Sequence, residues 1–136
     1  MARIMAYWLM KSEPESYSWT DLVRDGRTEW DGVRNNAARL HLKAMKKGDE
    51  AFLYHSMSDK AVVGIMRITR EACPDAKDPD WVSVEVEPVR KIAPVTLAQI
   101  KAEPSLSAME LIRQSRLSVA PVREEEWNRV LKLSGE

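Results

Sequence analysis

The sequence predicts an α+β domain: a mostly antiparallel sheet of about five or six short strands, able to close into a barrel, with short helices at its margins. Three observations carry this. Val82, Val84 and Val86 alternate with Ser83, Glu85 and Glu87, the period-two pattern of a strand with one wet face. Ala6-Tyr7-Trp8-Leu9-Met10-Lys11 is nearly continuously apolar, as a central strand buried on both faces would be. Helix-start signals place short helices at the margins of the strand segments, as in an α+β domain. A chain of 136 residues is one domain, 1–136, with material for a core.

The first strand runs into Ser12-Glu13-Pro14, where proline ends pairing and leaves Lys11 and Ser12 at a strand end. Ser18 with Asp21 makes a capping box for a short helix that Gly26 closes. After a loop centred on Trp30, Asn36 is placed to cap a helix over Ala37–Met45, and Lys46-Lys47-Gly48-Asp49 is a turn. Glu50–Ser56 reads as a strand with Phe52, Tyr54 and Ser56 on one face and Leu53 and His55 on the other. Ala61–Ile68 is a longer strand in which Gly64 marks a bulge or a close approach. Cys73–Asp80, with two prolines and three aspartates, reads as loop; Trp81–Glu87 is the alternating strand, and Val89–Val95 holds another, broken by Pro88 and Pro94. Thr96/Gln99 and Ser107/Glu110 both match capping boxes. Arg116–Val122 is extended, and a last helix puts Trp127, Val130 and Leu131 on one stripe behind three glutamates suited to its N-terminal dipole.

Charge balances, with 21 basic and 21 acidic residues, so bulk electrostatics points to no polyanion. Between Arg24 and Lys47, however, seven basic residues stand against three acidic ones. Cys73 is the only cysteine and His41 and His55 the only histidines, which leaves no disulfide and no Cys- or His-rich metal site; no metal and no cofactor is expected. No apolar run approaches a membrane span, and Met1–Ala6 lacks a signal-peptide pattern, so a cytoplasmic protein without membrane partners, and a monomer, is the expectation. Enzyme signatures are missing: there is no Gly-x-Ser-x-Gly elbow, Walker loop, dinucleotide fingerprint or His-Glu-x-x-His. His55 and Ser56, adjacent on a strand, point to opposite faces and do not form a base–nucleophile pair.

The stretch with most chemistry is Trp30-Asp31-Gly32-Val33-Arg34-Asn35-Asn36. An aromatic face, a glycine turn, a guanidinium and two amides are the parts of a pocket for a flat ring with a polar edge. They would equally suit a buried indole beside a solvated turn.

Four stretches together carry a family resemblance: Tyr7–Pro14 (YWLMKSEP), Trp30–Asn35 (WDGVRN), Gly48-Asp49 leading to Tyr54-His55-Ser56, and Arg116-Leu117-Ser118-Val119 with Pro121-Val122. In order and spacing they resemble the EVE domain family, across most of the chain. The resemblance implies a PUA-like mixed or antiparallel β-barrel, related to the YTH domains that read methylated adenine. It also implies a reader of a modified base, 5-methyl- or 5-hydroxymethylcytosine in DNA or a modified base in RNA. The implied site lies between Lys11-Ser12 and the Trp30, Val33, Arg34, Asn35 loop, closed by Tyr54, His55, Ser56 and by Arg116, Leu117, Ser118. In that picture Trp30 stacks, Asn35 and Ser12 read the base edge with Ser56 or Ser118 in reserve, and Lys11, Arg34 and Arg116 hold phosphates. Two departures stand out: Asn36-Ala37 where the family usually has an aromatic residue and Gln, and Arg123 where a Thr usually caps the last helix. Two alternatives remain beside the reader: a PUA-like enzyme of the ASCH type (nuclease or amidohydrolase), and a sensor of small anions or metabolites.

Overall fold

The computed structural model describes residues 5–136; Met1–Ile4, part of the segment read for a leader, lie outside the described residues. The chain order is β1 (Tyr7–Ser12), α1 (Trp19–Asp25), β2 (Thr28–Trp30), α2 (Asn36–Ala44), β3 (Glu50–His55), β4 (Ala61–Pro74), β5 (Val82–Thr96), α3 (Leu97–Ala102), a 3-10 turn (Pro104–Leu106), α4 (Glu110–Arg113), β6 (Val119–Val122) and α5 (Glu124–Leu133). The six strands form one mixed sheet in the order β2-β5-β4-β3-β1-β6. β1 runs parallel to β3, with Leu9 beside Phe52, and antiparallel to β6, with Leu9 beside Ala120. The other neighbours are antiparallel.

The pleat of β1 divides the core. Trp8 and Met10 join Ala51, Leu53, Val84 and Val86 under α1 and α2, whereas Leu9 joins Phe52, Tyr54 and the apolar residues of α3, α4 and α5. The apolar run of β1 is thus explained by two cores, one on each face. Trp127 of α5 fills the second, stacked on Phe52 at 3.8 Å and on Tyr7 at 4.4 Å between ring centroids. Aromatic pairs of this kind add about 0.5–1.5 kcal/mol beyond their buried area.

The expected caps at Ser18/Asp21 and Thr96/Gln99 are both complete boxes, and Gly26 closes α1. At Gly64 both expected features occur. The β3–β4 and β4–β5 registers shift beside it, and an added Cβ there would lie 2.4 Å from Cζ3 of Trp19. The indole of α1 lies flat against bare backbone, a contact only glycine permits.

The structure corrects several expectations. Asn35, not Asn36, caps α2: its backbone is extended and its Oδ1 accepts from Ala38 N–H at 2.9 Å. Ser107 does not cap α4: its N–H closes the preceding 3-10 turn onto Pro104 O, and α4, whose N-cap residue is Met109, starts without a side-chain cap. Cys73 and Pro74 belong to β4, and Pro88 and Pro94 sit inside one continuous β5. The β4–β5 ladder accommodates this with repeated register shifts, one of them next to the Met66–Pro88 pair, where a missing N–H costs little. Ser83 is buried rather than wet: its hydroxyl donates to Glu29 Oε1 at 2.7 Å and accepts from Arg70. Thr28–Trp30, read as loop, is a three-residue strand. The sheet also does not close: among the described residues β2 and β6 each pair on one side only, so the PUA-like barrel is open between them.

Candidate functional site at the open seam of the sheet

The opening between the two edges of the sheet holds a cavity of about 550 Å³. One wall comes from β2 and the following turn (Thr28–Arg34), the other from Lys11 and Ser12 at the end of β1 and Ser118 just before β6. Within this second wall Lys11 N–H donates to Ser118 O at 2.9 Å, which continues the β1–β6 pairing past Met10.

The Trp30–Arg34 wall is shaped by a residue the sequence reading passed over. Gly32 has φ +76°, the left-handed region that Asp31-Gly32 foretells. Its N–H donates to Asp75 Oδ2 at 3.0 Å, and Arg34 Nη1 donates to the same oxygen at 3.1 Å. The other oxygen, Oδ1, accepts from Lys77 N–H at 2.8 Å. Asp75 is 2 % exposed. The Gly32 amide, then the Lys77 amide, and more weakly the Arg34 guanidinium hold its carboxyl down to about 2 against the opposing effect of burial. Arg34 also lies 5.7 Å from the ring of Trp81, which carries Arg39 at 5.2 Å as well. The β4–β5 loop, taken from its prolines and aspartates for mere connection, therefore braces the Trp30–Arg34 turn. An acidic residue two places before a lysine in a loop carries no local signal of such a task.

Trp30 and Val33 line the cavity, yet they are only 9 % and 8 % exposed. Most of each side chain packs in the core under α1 and α2. What the cavity sees is an apolar margin, not a free-standing aromatic plate. Lys11 is tethered: Nζ donates to Ser115 O at 2.7 Å and lies 5.8 Å from the Tyr54 ring, and burial lowers its pKa from the ordinary 10.5. Ser12 Oγ donates to Tyr17 O at 2.7 Å, which leaves its lone pairs facing the cavity as acceptors.

Charge in this cavity is compensated. Of its three cationic lining residues, Arg34 is paired with Asp75, Lys77 Nζ lies 3.6 Å from Asp31, and Lys11 rests on a carbonyl, while Glu29 faces Arg70 at 3.2 Å. A neutral, flat, polar-edged ligand suits such a lining better than a phosphate does.

Not all expected site residues meet here. Asn35, Arg116 and Leu117 line a second, adjacent cavity of about 350 Å³, and the Oδ1 of Asn35 is engaged as the α2 cap. Tyr54, His55 and Ser56 line neither cavity. Tyr54 is 4 % exposed in the core beneath Lys11. His55 Nε2 accepts from Trp19 N–H at 3.1 Å; its proton is then on Nδ1, 2.9 Å from Asp59 Oδ2. That histidine holds the start of α1. Ser56 N–H donates to Ser12 O at 3.0 Å, supporting the cavity floor from behind. Among the described residues no group of three or more His, Cys, Asp or Glu side chains could hold a metal ion, and no helix is long and apolar enough to cross a membrane.

A family model described as the EVE domain matches residues 6–133. Human thymocyte nuclear protein 1 is 35% identical, over 98% of this chain and 76% of its own length. A protein from Rhodopseudomonas palustris, solved by NMR, is 49% identical and superimposes with a TM-score of 0.92, covering 96% of this chain and 94% of that one. The human THYN1 protein, crystallised with DNA containing 5-methylcytosine, is 36% identical with a TM-score of 0.90, covering 96% of this chain and 98% of that one. An ASCH protein from Zymomonas mobilis shares only the fold, with 13% identity and a TM-score of 0.56 over 93% of this chain and 94% of that one.

Proposed function

This chain belongs to the EVE domain family, and on that premise we propose that it binds DNA and reads a modified base, 5-methylcytosine in the first place, in the cavity at the seam of its sheet. The observation that carries the reading is the character of that cavity. It is large enough for a base, walled by the margins of Trp30 and Val33, and electrically compensated. The human relative crystallised with 5-methylcytosine DNA supports the choice of ligand.

In this reading the base leaves the duplex stack and enters between Trp30 and Ser118, a cost that mismatched or single-stranded sites lessen. Ser12 accepts from the exocyclic amine of cytosine, and Val33 with Trp30 receives the 5-methyl group. Burying one methyl is worth about 0.8 kcal/mol, so a methyl preference of about fourfold is the scale to expect, and contact with the exposed margin of Trp30 adds less than the about 1–3 kcal/mol of a base stacked on an open ring face. The compensated lining weighs against a small-anion sensor, and the enzyme reading is not favoured while Lys11 Nζ is committed to Ser115 O and Ser12 Oγ to Tyr17 O.

The test is a titration of matched oligonucleotides, DNA and RNA, single- and double-stranded, carrying plain, 5-methylated or 5-hydroxymethylated cytosine or N6-methyladenine, at two salt concentrations. A methyl preference that survives added salt and is lost in Trp30→Leu, with near-ultraviolet dichroism showing an intact fold, supports the reading. Equal, salt-sensitive binding of all forms sinks it. Trp30→Ala is the poorer variant, since truncating a tryptophan this buried costs about 3–5 kcal/mol of stability.

A further inference from the structure

We propose that the second cavity, centred on Arg116, is a backbone subsite that takes a phosphate of the strand flanking the bound base. This deepens the reading above and rests on it for the identity of the partner, though not for the anion chemistry.

The linings of the two cavities have no residue in common but are joined residue to residue. Lys11 lines the first and its Nζ donates to Ser115 O in the lining of the second, at 2.7 Å. Arg34 and Ser118 line the first while their chain neighbours Asn35 and Leu117 line the second. A nucleotide whose base sits in the first cavity therefore has its neighbour beside the second. The two differ in charge. The base cavity has a carboxylate for Arg34 and another for Lys77, whereas the second has no carboxylate in its lining. Among the described residues Arg116 makes no ion pair, and the closest acidic residue on its own segment, Glu110, is occupied by Gln114 Nε2 and by Arg113 at 3.5 Å. Arg116 is exposed, so its guanidinium can turn to an incoming phosphate without breaking a contact. Leu117, 6 % exposed, gives the floor an apolar base, and Ala37 brings no bulk into the opening. Of the three cations expected to hold phosphates, the structure ties down Lys11 and Arg34 and leaves Arg116 for the task.

The experiment compares two probes, free 2′-deoxy-5-methylcytidine and a single-stranded pentadeoxynucleotide with 5-methylcytosine at its centre, plain cytosine controls included. Each is titrated between 50 and 200 mM salt against the unaltered protein, Arg116→Gln and Arg116→Lys. Each phosphate contact contributes about 0.7 to the salt slope of single-strand binding. The expected result is that Arg116→Gln lowers the pentanucleotide's slope by about that amount. Its affinity at low salt falls about three- to tenfold, shrinking its advantage over the nucleoside, and Arg116→Lys restores the slope. A slope and advantage unchanged in Arg116→Gln would overturn the subsite. Failure of the base reading shows differently, as equal binding of methylated and plain probes by the unaltered protein, and can occur with the Arg116 slope intact.

Discussion

Asp75 Oδ2 accepts from the Gly32 amide and the Arg34 guanidinium together, at 3.0 and 3.1 Å, so a single buried oxygen sets both the turn and the cation of the Trp30–Arg34 segment. The two donors sit two residues apart on one side of the cavity, and the acceptor comes from a loop more than forty positions later.

The first prediction concerns the charge of that oxygen. Asp75→Asn keeps the shape and one acceptor but loses the carboxylate, and should cost about 1–3 kcal/mol in urea denaturation at neutral pH. It should also lower the affinity for methylated DNA more than a stability loss of that size explains, because Arg34 is released.

Acid should act through the same group. The carboxyl titrates at about 2 when folded against an ordinary 3.8, so the unfolded chain binds more protons in that window. The stability Asp75 contributes is complete above about pH 4 and is lost as pH falls from there through about 2. Denaturation series between pH 2 and 5 should show a steeper acid loss in the unaltered protein than in Asp75→Asn.

Asn35 gives the second contrast. As a cap, Asn35→Ala should lower stability by about 1 kcal/mol, and Asn35→Asp should recover it, since a carboxylate accepts from Ala38 N–H equally well. Methyl selectivity should stay with the unaltered protein in both variants. A loss of selectivity in Asn35→Asp with stability intact would instead return this side chain to the base edge.

Gly64 supplies the third. Gly64→Ala forces a Cβ to within 2.4 Å of Trp19, so the indole or the strand must shift, at a cost of about 1–3 kcal/mol. Thermal unfolding should show the loss, and tryptophan emission should report the displaced ring.

Elements whose signals are local were legible in the sequence: the Ser18 and Thr96 boxes, the two-faced β1 and the face assignment of β3 all follow from residue spacing. What escaped depends on partners far away in the chain. Ser83 alternates like a solvent-facing residue but is covered by Arg70 and Glu29, and Pro88 and Pro94 look like breaks until the bulged ladder beside them is seen. The site divides in the same way. The motif residues Lys11, Ser12, Trp30, Val33, Arg34 and Ser118 meet at one cavity. His55 entered the implied site through the family motif Tyr54-His55-Ser56, yet its two nitrogens serve the start of α1 and Asp59. Asp75 and Trp81 act on the Trp30–Arg34 turn through space alone, and no spacing announces them.

The place of β1 between β3 and β6 bears on how the molecule is made. Leu9 pairs with Phe52 on one side and with Ala120 on the other, so the strand that bisects the core waits for nearly the whole chain before its second edge is covered. Such distant pairing carries a large loop-closure cost and slows folding. While synthesis proceeds, Trp8, Leu9 and Met10 form an apolar ribbon with one unpaired edge, the kind of surface that chaperones hold and that nascent chains aggregate through. Completion of the cavity at the seam and the yield from the ribosome thus draw on the same late event, the arrival of Ser118 to Val122 beside β1.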